Sequence, residues 1–129
     1  MKEVPHISDT EWQVMKVIWE KAPVTANDII NALEDKTDWK PKTVKTLIGR
    51  LVKKKAAGYR EDPNNCRAYI YFPIVNQDEC IEAESHLFLN RFFGGKMNVM
   101  IASFLDDKKL STKDLDELKK LIDEKDGKG

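Results

Sequence analysis

Between Trp39 and Lys55 the chain reads WKPKTVKTLIGRLVKKK, which holds seven Lys or Arg, two Thr and no acid. Pro41 suits a first helical position, where its missing N–H leaves no bond unmade. Val44, Leu47, Ile48 and Leu51 recur at spacings of three and four, so on a helix they form one apolar stripe. Lys42, Lys45, Thr46, Gly49 and Lys53 fall on the opposite side, flanked by Thr43 and Arg50. Cations answer phosphates, and short hydroxyls can approach base edges, so this face has the composition of a helix that enters the DNA major groove. An isolated helix of this kind is more often a solvated lysine face. The rest of the chain has to decide between the two.

The charge distribution favours the first reading. The 129 residues carry 22 Lys or Arg and 22 Asp or Glu, so the net charge is zero. Residues 39–60, however, hold eight cations and no acid, while residues 1–38 hold four Lys against eight acids. Residues 61–105 hold three basic and six acidic groups, and residues 106–129 seven and eight. The whole positive excess sits in one short window, and a localised basic patch is the electrostatic footprint of nucleic-acid binding. With 41% hydrophobic residues a folded chain is expected, as one domain or two small units. No apolar run approaches the roughly 18 residues of a membrane span. The N-terminus MKEVPHISD lacks a signal-peptide core, so a cytoplasmic location is expected.

The elements around this window follow from local signals. Ser8 with Glu11 reads as a capping box opening a helix from about Asp9 to Lys21. Its broad stripe of Trp12, Val14, Met15, Ile18 and Trp19 belongs to a mostly buried helix. Pro23 ends it. Thr25 caps a second helix, Asp28 favours its positive end, and Ile29, Ile30 and Leu33 form its apolar face. Asp35 to Asp38 reads as a turn, and Trp39 anchors the start of the third helix. Gly58 is expected to close that helix as a C-cap residue. Tyr59 to Asp62 and Cys66 to Phe72 alternate as strands around the turn signal Pro63-Asn64-Asn65. Three helices followed by a hairpin is the order of a winged helix-turn-helix, with Arg60, Asn64, Asn65 and Arg67 on or near the wing tip. The expected fold is therefore mainly α with a small β-hairpin wing.

After Pro73 the pattern is helical again. Asn76 and Glu79 read as an N-cap and its partner, opening a helix to about Phe93. Gly94-Gly95 breaks it. A fifth helix carries Met97, Met100, Ile101, Phe104 and Leu105. A sixth, capped by Ser111, carries Leu115, Leu118, Leu121 and Ile122. Lys125 to Gly129 is expected to fray. Short amphipathic helices of this kind bury too little by themselves. Residues 1–73 are thus read as the DNA-binding domain and 74–129 as a helical dimerisation domain. Its interface is expected from Ile81, Phe88, Phe92, Met97, Met100, Phe104, Leu115, Leu118 and Ile122. A two-fold dimer also suits a helix-turn-helix protein reading paired half-sites.

Three phrases, ISDTEWQVMKVIW, PKTVKTLIGRLVKK and SHLFLNRFFGG, together resemble the penicillinase and methicillin-resistance repressors of Gram-positive bacteria. The resemblance covers nearly the whole chain. It implies a winged-helix homodimer that binds an inverted-repeat operator on double-stranded DNA and represses β-lactamase or penicillin-resistance genes. It also implies release when a membrane-bound β-lactam sensor and protease system causes cleavage of the dimerisation domain. Carried over to matching positions, the family's DNA contacts fall on Lys42, Thr43, Thr46 and Arg50. Lys45, Lys53, Arg60, Asn65 and Arg67 complete the candidate DNA-binding set from the residue patterns. Lys40 departs from the family's usual Ser cap, and the wing EDPNNCRAYIYFP is unlike the family's wing. The family cleaves an Asn–Phe bond in the fifth helix, and the matching pair here is Ser103-Phe104.

Other chemistry finds no support in the residue pattern. Cys66 and Cys80 have neither metal-ligand spacing nor a disulfide framework, and no paired cysteine motif for copper lies near the C-terminus. His6 and His86 are far apart in sequence and have no nearby Asp or Cys pattern of a metal site or a catalytic base. There is no P-loop, dinucleotide fingerprint or G-x-S-x-G elbow. No cofactor, metal, small-molecule substrate or catalytic residue is expected. Two alternatives stay open: a winged-helix regulator of the same family with another regulon, and a winged-helix module docking an acidic protein.

Overall fold

In the computed structural model, which describes residues 4–106 and 109–127, the capping box at Ser8 opens α1 (Asp9–Lys21) as expected. Ser8 Oγ accepts from the Glu11 N–H at 3.3 Å, and the Glu11 carboxylate accepts from the Ser8 N–H at 2.9 Å. Thr25 and Asp28 repeat this reciprocal pattern at the start of α2 (Ala26–Glu34). The third helix, α3, spans Pro41–Lys53.

α3 ends differently from the sequence expectation. Gly58 is not its cap. Lys54 is the C-cap, and Lys55 takes the left-handed conformation at φ 65°. The Ala56 N–H donates to Leu51 O at 3.0 Å and the Lys55 N–H to Val52 O at 3.0 Å. This is the Schellman pattern, built here on a lysine that carries a Cβ penalty in the left-handed region. Gly58 lies instead in strand β2 (Ala57–Asp62), opposite Phe72 of β3 (Asn65–Pro73). A Cβ at Gly58 would stand 2.7 Å from the Phe72 ring, so the glycine serves a close cross-strand approach.

The wing is part of a three-stranded antiparallel sheet of order β1-β3-β2. Strand β1 is only Val24–Thr25, pairing with Tyr71 and Ile70, and it has no sequence signal of its own. α1, α2, α3 and the sheet enclose one core in which Val14, Met15, Ile18, Ile29, Leu33 and Leu51 are buried. Trp12 and Trp19 are half-buried at its edge, ring to ring at 5.2 Å and 71°. At roughly 1.5–3 kcal/mol for each fully buried large aliphatic side chain, this core is what fixes the helices in place.

The chain divides into two compact units, Met1–Ser85 and His86–Gly129. The division falls inside α4 (Gln77–Phe93) rather than at residue 73. Val75 and Cys80 belong to the buried core of the first unit, and Val75 O accepts from the Trp19 indole N–H at 2.9 Å. Asn76 caps α4, exchanging hydrogen bonds with Glu79. The second unit holds the remainder of α4, then α5 (Met97–Leu105) and α6 (Thr112–Gly127). Gly94 and Gly95 make the break between α4 and α5, both with positive φ. α6 continues past Lys125 to Gly127, further than the fraying expectation allowed; residues 128–129 lie outside the described residues.

Candidate nucleic-acid interface

The two faces of α3 separate as the helical period requires. Val44, Leu47, Ile48 and Leu51 are each 4% exposed or less, while Lys42, Thr43, Lys45, Thr46, Gly49, Arg50 and Lys53 are exposed. No Asp or Glu occurs on the helix. Its N-cap, Lys40, makes no side-chain capping bond, and Pro41 removes one of the donors a cap would otherwise serve. The Thr46 hydroxyl donates to Lys42 O at 3.0 Å. Its proton is thereby occupied, so Thr46 offers outward a methyl group and acceptor lone pairs.

What holds this face in place lies at the other end of α3. The Lys54 ammonium donates to the carboxylate of Glu11 and, at 3.0 Å, to His6 O. Glu11 is 2% exposed. Burial alone would raise its pKa, but the hydrogen bonds from Lys54 and Ser8 outweigh that and hold it below its ordinary value. The end of α3 is thus tied to the first turn of α1. Sequence reading found the capping role of Glu11 but not its ion pair.

The wing residues divide between faces and tip. Tyr59 stands opposite Tyr71, and Tyr69 lies on the same face one step toward the tip. Tyr59 and Tyr69 meet edge to face at 5.1 Å and 78°; Tyr59 and Tyr71 are 6.3 Å apart. These three rings form one wall of a groove of about 370 Å³ whose other wall is α3, at Lys45, Ile48, Gly49 and Val52. Arg60 pairs with Ile70 and so falls on the other face of the sheet, where it lines a shallow pocket with Ala22, Pro23 and Phe72. Asn65 and Arg67 are exposed near the tip, and Asn65 Oδ1 accepts the Arg67 N–H at 3.2 Å. The structure therefore gathers the candidates of α3 on one surface, with Asn65 and Arg67 at the tip and Arg60 facing away from the groove. The tyrosines were not among the sequence candidates. Their alternation along the strand was visible, but their position across from α3 was not.

A three-helix unit with a hairpin wing and an exposed basic third helix defines a winged helix-turn-helix protein. The penicillinase repressor family model matches residues 7–124, and the chain belongs to that family. It is 39% identical over 124 residues to the penicillinase repressor of Bacillus licheniformis, an alignment covering 96% of this chain and 94% of the relative. To the methicillin resistance regulatory protein MecI of Staphylococcus aureus it is 33% identical over 119 residues, 92% of this chain and 94% of the relative. Among solved structures it resembles the B. licheniformis BlaI monomeric form in complex with the blaP half-operator, with TM-score 0.52 and 37% identity. That match covers 61% of this chain and 93% of BlaI as solved. A mutant of S. aureus MepR bound to an oligodeoxyribonucleotide matches at TM-score 0.54 over 95% of this chain and 79% of that one, at 18% identity, and so shares the fold alone.

Proposed function

We propose that this chain is a homodimeric transcriptional repressor that binds an inverted-repeat operator and controls β-lactamase or penicillin-resistance genes. The observation that carries the reading is α3, which buries a complete apolar stripe and presents three lysines, an arginine and two threonines with no acid. Lys42 and Arg50 are suited to guanine edges, Thr46 to a thymine methyl or to the amino group of adenine, and Lys45 and Lys53 to phosphates. Thr43 contacts the strand beside them, and Asn65 and Arg67 add wing contacts to the backbone; Arg60, expected near the wing tip, lies on the opposite sheet face and is left out of this set. The half-operator complex formed by its BlaI relative supports this assignment.

Dimerisation is assigned to residues 74–129. α5 and α6 contain no buried residue, and Phe88, Phe92, Met97, Phe104 and Ile122 are all exposed, as is Ile81 earlier on α4. Met100, Leu115 and Leu118 are half-exposed. A monomer leaving this much apolar surface uncovered is an interface without its partner. Inactivation follows from cutting Ser103-Phe104. Both residues are exposed in the last turn of α5, where local fraying presents the bond to a protease of the membrane sensor system. Loss of Phe104, Leu105 and α6 then separates the half-sites, whose joint binding had multiplied affinity through effective concentration.

Selection of bound duplexes from a random pool with purified protein tests the whole reading. Enrichment of a palindrome with half-sites separated by about one helical turn or a multiple is the expected result. Enrichment of single, unpaired sites would contradict the dimeric reading, and no enrichment would contradict DNA recognition.

A further inference from the structure

The groove between α3 and the wing has a composition that the contacts assigned above leave unexplained. Its walls carry Lys45 and the phenols of Tyr59, Tyr69 and Tyr71, and its lining includes no acid. Among the described residues, no hydrogen bond engages the hydroxyl of Tyr59 or of Tyr69, residues that are 52% and 48% exposed. Beside Gly49 the groove is open, with nothing within 4 Å of where a Cβ would stand. Lys45 is shared by the groove and the exposed face of α3.

Geometry supplies the occupant. A helix in the major groove and a hairpin reaching beyond it are separated by one sugar–phosphate strand, which has to cross between the two elements. Resting on the reading of α3 as the major-groove helix, we propose that this groove seats that strand. One phosphate is held there by the Lys45 ammonium and the hydroxyls of Tyr59 and Tyr69. Tyr71, more deeply set, supports the other two rings; burial, with Tyr59 and Tyr69 beside it, raises its pKa and keeps it protonated. Ile48, Val52 and the open space at Gly49 give the deoxyribose an apolar floor. Glu61 stands opposite Tyr69 on the same sheet face, outside the lining, and opposes an anion there.

The test uses the full chain and a half-operator duplex taken from pool selection. Tyr59→Phe and Tyr69→Phe each remove one hydroxyl and no charge. Each is expected to weaken cognate and scrambled duplexes alike by about tenfold, with the salt slope unchanged. Lys45→Gln is expected to flatten the slope by about 0.9. Ethylation of a single phosphate per half-site should weaken the wild type, weaken the double Phe variant less, and have little effect once Lys45→Gln is added to it. Gly49→Glu, at a position with room for the side chain, should lower affinity by at least tenfold, and Glu61→Gln should raise it. Phe variants that bind within twofold of wild type, with the same ethylation pattern, would overturn the proposal; a groove filled by a small aromatic anion instead gives that result. If the wild type itself bound no duplex, the major-groove reading would fall and this inference with it.

Discussion

Lys54, the last residue capping α3, donates a hydrogen bond to Glu11 in the first turn of α1, joining two helix ends that lie 43 residues apart. Among the described residues Glu11 is the buried charged one, and Lys54 is the cation that makes its burial tolerable. The orientation of the basic face therefore depends on an ion pair outside that face.

Lys54→Met should cost about 1–3 kcal/mol, because it removes the cation from a buried carboxylate that then keeps only its bond from the Ser8 N–H. Urea unfolding at neutral pH measures this. The wild-type pair also imposes a pH dependence. The Glu11 pKa is lowered in the folded chain from 4.5, so its contribution is complete above about pH 4.5 and is lost as pH falls through the lower folded value. In Lys54→Met only the Ser8 hydrogen bonds still oppose burial, so that acid-side loss should shrink. An identical acid limb in both proteins would show that the pair does not set it.

At the end of α3, Lys55→Gly should stabilise the fold by about 0.5–1 kcal/mol, since glycine relieves the left-handed strain while gaining freedom when unfolded. Gly58→Ala should act in the opposite direction. The Phe72 ring has to leave its place, and because that ring is 36% exposed and can swing outward, the cost should lie near the lower end of about 1–3 kcal/mol. Thermal unfolding of the two variants would reveal the contrast; a stabilising Gly58→Ala would contradict the assigned role of that glycine.

These two positions show what the chain discloses before it is folded. The faces of α3 were legible because burial repeats every three to four residues from Val44 to Leu51. The caps at Ser8, Thr25 and Asn76 were legible because each bond closes within three residues. Gly58 has the look of a cap because one residue type serves both a left-handed turn and a close approach, and only the position of Phe72 distinguishes them. Lys55 gives no hint of positive φ. Strand β1 is two residues long and exists because Ile70 and Tyr71 lie beside it. The tyrosine groove and the Glu11–Lys54 pair each need segments that the tertiary fold alone brings together.

Thr46→Ala should cost about 1–3 kcal/mol on the cognate duplex and little on a scrambled one, because it deletes the methyl and the acceptor that face outward. Lys53→Ala should weaken both duplexes nearly alike. Equal binding of Thr46→Ala and wild type to both duplexes would mean that this turn of α3 does not face the bases.

Replacing two residues of the uncovered apolar surface, Phe92→Glu and Ile122→Glu, should shift sedimentation from dimer to monomer. The thermal midpoint of the winged-helix unit should remain nearly unchanged, since both side chains are more than half exposed. A dimer that survives both changes would place the interface elsewhere.

The salt dependence of operator binding tests the central claim most directly. With roughly 3–5 phosphates neutralised per subunit, the logarithm of affinity should fall linearly with the logarithm of salt concentration, at a slope of about −5 to −9 for the dimer. A slope near zero on the duplex the protein prefers would contradict the account, because the basic face of α3 would then not be meeting a phosphate backbone.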